Sequence, residues 1–205
     1  MNVIFDMDGT LVDSAKVTMP AFELICPKYG IDVPEEKTII SAIGYSNPTF
    51  YYKIFNYIEK NVLNAFGEEV ENAEKQTIKN VKKGLLFDGV LELLSAIKEK
   101  GKKMCIASTG DASHVQSCLE YGGIEGYFEE VFCGKPDKEL MVAQIMKIAP
   151  KEKWIMIGDK RKDSKAAKYN GIFSIGAGYG YCIKEEYDEF DCIVKQPLEI
   201  LNYIK

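Results

Sequence analysis

The apolar residues of this chain gather in six runs too short to be helices, and that pattern constrains the fold more than any other feature. The runs are Val3-Ile4-Phe5, Met104-Cys105-Ile106-Ala107, Val131-Phe132-Cys133, Trp154-Ile155-Met156-Ile157, Phe173-Ser174-Ile175 and Cys192-Ile193-Val194. None alternates cleanly with polar residues, as expected of strands covered on both faces. Between them, apolar residues recur at helical spacing in Val90-Leu91-Leu93-Leu94-Ile97, in Val115-Cys118-Leu119 and in Met141-Val142-Ile145-Met146. Gly101 stops the first of these helices, and Gly122-Gly123 follows the second. Strand alternating with helix predicts an α/β fold with a Rossmann-like doubly wound parallel sheet.

One region breaks the alternation. From Ser14 to Gly84 the chain reads as helix after helix, punctuated at Tyr29-Gly30, Ile43-Gly44 and Phe66-Gly67. This predicts a core formed by residues 1–13 and 85–205 and an all-helical insert over 14–84. The insert carries an aromatic cluster, Phe50, Tyr51, Tyr52, Phe55 and Tyr57, suited to helix packing with some members lining a pocket.

Composition removes several function classes. A formal net charge of -5 over 205 residues gives no broad basic footprint for nucleic acid, although a local positive pocket is compatible with it. The N-terminus MNVIFDMDGT has no basic region and too short an apolar run for a signal peptide, and no stretch reaches membrane-spanning length. A cytoplasmic location is the expectation. The six cysteines, at 26, 105, 118, 133, 182 and 192, form no CxxC pair, so they read as reduced and mostly buried thiols. His114, the one histidine, has no second histidine to complete a metal site and reads as a surface or packed residue.

Four polar clusters each follow a strand. Asp6-Met7-Asp8-Gly9-Thr10 leaves the first, with Gly9 permitting a tight turn. Ser108-Thr109-Gly110 leaves the second, where a hydroxyl and helix N-terminal N–H groups offer a phosphate seat. Lys135 and Lys138 follow the third, positioned to neutralise phosphate. Gly158-Asp159 through Asp163 leaves the fourth: Asp159 reads as a hard-cation ligand or as the cap of the next helix, and Asp163 as its outer partner. Each cluster alone also suits an ordinary surface loop. In an open parallel sheet, however, all four converge at the carboxyl ends of the strands, where ligands bind.

The ordered set DxDGT, strand-end Ser108, a lysine before a helix and GDxxxD resembles the haloacid dehalogenase-like hydrolases over nearly the whole chain. The helical insert resembles the small α-helical cap of the subfamily that includes phosphoglycolate phosphatases. Gly178-Tyr179-Gly180 and Pro197-Leu198-Glu199 are similar to segments of its phosphoglycolate phosphatase-like and nucleotidase-like branch. Thr109 departs from the asparagine common at that place. Lys135-Pro136 matches one form of the lysine motif and Lys138 the other, with Asp137 expected to cap the helix that Lys138 opens.

The resemblance implies a magnesium-dependent phosphatase acting on a small phosphorylated metabolite. It implies Asp6 as nucleophile, Asp8 as general acid and base, and Ser108 with Lys138 or Lys135 stabilising charge. Mg2+ would be held by Asp6, Asp159 and the carbonyl of Asp8, with Asp163 in support. Thr10, Thr109 and Gly110 would meet the phosphate, and Gly44 and Asn47 in a cap loop would select the substrate. A phosphoryl-transfer mutase of the β-phosphoglucomutase type shares these core motifs, and a non-catalytic binding protein on the same fold is a third reading. Monomer and homodimer both fit the sequence.

Overall fold

The structure is a computed structural model and describes residues 1–204. Its frame is one six-stranded sheet made of β1 (Asn2–Phe5), β2 (Met104–Ala107), β3 (Glu130–Phe132), β4 (Trp154–Gly158), β5 (Phe173–Ala177) and β6 (Cys192–Val194). The order is β3-β2-β1-β4-β5-β6 and every pairing is parallel.

The continuous apolar runs follow from double coverage. Val3 and Phe5 of β1, with Ile155 and Ile157 of β4, face the cluster that holds α5 (Val90–Glu99) and α6 (Ala112–Gly122). Ile4 and Met156, pointing the other way, pack with α7 (Lys138–Met146) and α8 (Arg161–Tyr169). Phe5 is fully buried, and a large apolar side chain so placed contributes about 1.5–3 kcal/mol. β3 departs from the expectation of two covered faces. It lies at the sheet edge, and Glu130 and Val131 are exposed.

The excursion after β1 is helical throughout: α1 (Ala15–Ile25), α2 (Glu36–Ala42), α3 (Thr49–Ile54) and α4 (Lys60–Val81). It has its own core. Phe22 lies 5.6–6.5 Å, centroid to centroid, from Phe50, Tyr51, Phe55 and Phe66. Leu63, Phe66 and Val70 recur on one face of α4 and explain its 22-residue length as an amphipathic helix laid on α1. Tyr57 stands outside this core, exposed. The excursion leaves and rejoins the sheet layer at one place. Val12 bridges Leu86 antiparallel, Asp13 N–H donates to Leu85 O at 2.8 Å, and Phe87 N–H donates to Leu11 O at 3.1 Å.

The cysteines are all free thiols, four buried and two partly buried. Among the described residues no helix is long and apolar enough to cross a membrane.

Candidate active site

β1 and β4 are neighbours from which the strand order runs outward in both directions, and their carboxyl ends therefore open a crevice. Asp6 follows β1 there, its N–H fixed to Ile157 O at 2.8 Å. Asp159 follows β4, and Asp163 is buried in the first turn of α8. A carboxylate oxygen of each of the three lies within 4.8 Å of one from the others, and all three residues are buried.

One ammonium stands among them. Lys138 Nζ lies 2.7 Å from Asp6 Oδ1 and 2.5 Å from Asp163 Oδ1, and Lys138 is 1% exposed. Lys135, three residues before it, is exposed on the loop. Asp137 makes no side-chain cap to α7, contrary to expectation; Lys138 is held by its two carboxylates. Asp159 likewise caps nothing. The N-cap position of α8 is Lys160, whose N–H goes to Asp163 Oδ2 at 2.9 Å.

Three carboxylates with one lysine leave negative charge in a dry place. Burial raises the pKa of Asp6, and the nearby Asp163 adds to it. Asp159 rises well above the carboxylate range through burial and then through the charges of Asp6 and Asp163. Asp159 Oδ1 accepts from Thr10 Oγ1 at 3.4 Å, while its buried Oδ2 has no hydrogen-bond partner and only Lys160 Nζ at 4.0 Å. A buried, unsatisfied carboxylate oxygen facing two further carboxylates is a hard, all-oxygen donor set of the kind that suits Mg2+. The residues present therefore fit that ion. Gly9 makes room beside them, since a Cβ there would come within 2.4 Å of Asp159 Oδ2.

Asp8 points elsewhere. Its Oδ1 accepts from Ser14 Oγ at 2.5 Å and lies 2.8 Å from His114 Nε2. Burial would raise its pKa, but the charge and hydrogen bond of His114, with Ser14 and Lys162, bring it down to about 2. Burial opposes charge on His114 too, yet Cys118 and Asp8 beside it raise its pKa well above the usual value. His114 is thus a packed, partly buried residue, and its partner is Asp8. The Asp111 carboxylate caps α6 and takes the N–H groups of Ser113 and His114. The second and third N–H groups of that helix are therefore engaged by its own cap, and Gly110 N–H is held by Ser108 Oγ at 3.0 Å.

The helical excursion reaches the crevice at Gly44. Its carbonyl accepts from Thr109 Oγ1 at 2.8 Å and from Lys162 Nζ, and Lys162 also lies 2.6 Å from Thr109 Oγ1. Lys162 was not among the residues singled out by sequence; only its place inside GDxxxD pointed to it. Asn47 lines a small cavity above Asp8 and donates to Glu71 Oε1 at 2.6 Å. Thr10, Ser108 and Thr109 are buried around the crevice. The Gly178–Gly180 segment closes the first loop from behind. Tyr179 Oη donates to Thr10 O at 2.9 Å, and a Cβ on Gly180 would collide with Gly9 O at 1.7 Å.

Comparison with known proteins bears on the family and the fold. The family model described as haloacid dehalogenase-like hydrolase matches residues 3–177. A 5'-nucleotidase from Pseudomonas aeruginosa is 23% identical over 90% of this chain and 86% of its own. A phosphoglycolate phosphatase from Escherichia coli K12 is 27% identical over 91% and 84%. Among solved structures, one described as a predicted phosphoglycolate phosphatase from Haemophilus somnus superposes with a TM-score of 0.88, at 21% identity over 100% of this chain and 97% of that one. A β-phosphoglucomutase from Clostridium difficile gives 0.79 at 22% identity, over 99% and 94%.

Proposed function

Because the chain belongs to the haloacid dehalogenase-like hydrolases, we propose that it hydrolyses a small phosphate monoester through a phosphoryl group carried on Asp6. The observation that carries this reading is the buried trio Asp6, Asp159 and Asp163, sharing one lysine at the carboxyl ends of β1 and β4.

Asp6, Asp159 and the carbonyl of Asp8 would hold Mg2+, with Asp163 behind them. The ion supplies charge neutralisation where carboxylate meets phosphate. Lys138 orients the Asp6 carboxylate by holding Oδ1, leaving the other oxygen to attack phosphorus. In that step the Asp6 O–P bond forms and the ester P–O bond breaks, one hard displacement becoming two easier ones. Asp8 and His114 together carry one transferable proton, which goes to the leaving oxygen. In the second step Asp8 takes a proton from the attacking water, the Asp6 O–P bond breaks and phosphate departs. Ser108, Thr109 and Lys162, grouped at the crevice, would bind the non-bridging oxygens. Residues 14–84 act as a cap that excludes water, with Gly44 and Asn47 facing the leaving group.

The test is phosphate release from a panel of monoesters with and without Mg2+, using Asp6→Asn as control. Magnesium-dependent release that disappears in the variant is the expected result. Turnover surviving in folded Asp6→Asn would overturn the covalent route.

A further inference from the structure

The Gly178–Gly180 segment leads into Tyr181, whose phenol takes part in none of the steps above. Tyr181 comes from the loop after β5, is 8% exposed and packs with the core of the cap. Its Oη accepts from Ala15 N–H at 2.7 Å and donates to Asp13 Oδ1 at 2.6 Å. Asp13 and Ala15 flank Ser14, so a single hydroxyl from a distant loop holds the chain on both sides of that serine.

Ser14 stands at the N-cap of α1, where a serine hydroxyl ordinarily accepts an N–H from the first turn of its own helix. Here it makes no such cap. The first N–H groups of α1 have other partners: Ala15 gives to the Tyr181 phenol, Lys16 to Asp13 O at 3.1 Å and Val17 to Ser14 O at 3.0 Å. The Ser14 hydroxyl is left for another use, and it donates to Asp8 Oδ1 at 2.5 Å. His114 Nε2 meets that same oxygen at 2.8 Å. Both contacts fall on Oδ1, which leaves Oδ2 as the oxygen to exchange a proton with substrate and water. The Tyr181 ring reaches the other side of Asp8 as well. A Cβ on Gly9, the next residue, would lie 2.7 Å from Tyr181 Cδ2, so the ring is seated against the backbone of the catalytic loop.

We propose that Tyr181 is the positioning residue for Asp8 and acts through Ser14: its phenol completes the first turn of α1, so that the Ser14 hydroxyl orients the Asp8 carboxylate for proton transfer to the leaving oxygen. This rests on the phosphatase reading above and adds to it a residue from outside the four strand-end clusters. Without the phenol, Ala15 N–H loses its acceptor and Asp13 its hydroxyl donor. The stretch 13–15 is then free to shift, and the Ser14 hydroxyl moves with it.

Proton delivery speeds departure of an alkoxide and adds little to departure of a carboxylate, which leaves as the anion. The test measures kcat/KM with Mg2+ for three alkyl esters, propyl phosphate, phosphoglycolate and adenosine 5'-monophosphate, and for acetyl phosphate, whose acetate needs no proton. This ratio includes leaving-group departure and omits the later hydrolysis of the phosphoryl group on Asp6. In Tyr181→Phe the value for the fastest alkyl ester should fall by about 10-fold or more, and that for acetyl phosphate by less than about 3-fold. The double variant with Ser14→Ala should cost the alkyl ester no more than Ser14→Ala alone, because the two residues act along one chain of contacts. Equal losses on both kinds of ester would mark a merely structural role and overturn the proposal. So would an unchanged kcat/KM, or losses that add in the double variant. If Tyr181→Phe does not fold, Ser14→Ala by itself should show the same split between esters, and equal losses there would overturn the proposal. A wild type that cleaves acetyl phosphate and no alkyl ester would overturn this assignment alone, since Asp8 would then protonate no leaving group. If no ester is cleaved, the phosphatase reading fails and the assignment falls with it.

Discussion

His114 Nε2 lies 2.8 Å from Asp8 Oδ1, joining the first loop of the chain to a helix 106 residues later. The two groups shift in opposite directions, Asp8 down to about 2 and His114 upward. An acid lowered on folding adds stability above its unfolded pKa and loses it as the pH falls through the folded value. A histidine raised on folding adds stability in full below about 6.5 and loses it as the pH rises through its folded pKa. The pair should therefore stabilise the protein most between about pH 4 and 6.5. Melting curves of wild type and His114→Gln should differ most in that window and converge toward alkaline pH. A difference that grows toward alkaline pH would contradict the pairing.

Lys138 and Lys135 should part company under substitution. Lys138→Met leaves Asp6 and Asp163 buried without their cation, and removing one partner of a buried pair costs about 3–5 kcal/mol. Lys135 is exposed, so Lys135→Ala should stay within about 0.5 kcal/mol of wild type. Urea unfolding of the two variants checks this, and phosphate release should be lost only in the first.

Mg2+ should raise the melting temperature, because the ion would satisfy the partnerless Asp159 Oδ2 and relieve the repulsion among three acids. Saturation at 100 times Kd is worth about 2.7 kcal/mol. Asp159→Asn should melt higher than wild type without the ion and respond to it much less. An equal magnesium response in wild type and variant would remove Asp159 from the ligand set.

Gly9→Ala tests the space at the same place. Gly9 has φ +80°, and the added methyl would lie 2.4 Å from Asp159 Oδ2. The left-handed backbone alone costs about 1 kcal/mol. Turnover should fall at least 100-fold, with magnesium affinity falling alongside it. Normal magnesium binding in this variant would show that the ion sits elsewhere.

The sheet was legible because its strands are buried on both faces, and burial on both faces writes itself as an unbroken apolar run. The two edge strands, β3 and β6, are the exceptions in burial, not in position, since each has a neighbour on one side only. The loops after β1, β2 and β4 were legible because strand ends converge. Lys138 and Lys135 were not separable by sequence, since three residues on a loop carry no direction; burial distinguishes them. The pairing of His114 with Asp8 is not legible in the sequence for a related reason. A single histidine has no pattern, and its partner Asp8 is brought to it only by the sheet order. Lys162 hid in a run of basic residues that looks like a solvated helix start, until the fold turns it toward Gly44.

The neck at Val12 and Leu86 has an evolutionary consequence. About seventy residues leave and return through one bridge and two flanking hydrogen bonds, so the ends stay fixed whatever lies between them. Doubling the length of a loop closed in this way costs only about 0.6 kcal/mol. Helices in the excursion can thus be lengthened, shortened or exchanged while the carboxylates at the strand ends keep their spacing. Under the proposed function, substrate preference and phosphorus chemistry are heritable separately in such a chain, and a graft made between residues 13 and 85 is the natural unit for moving one without the other.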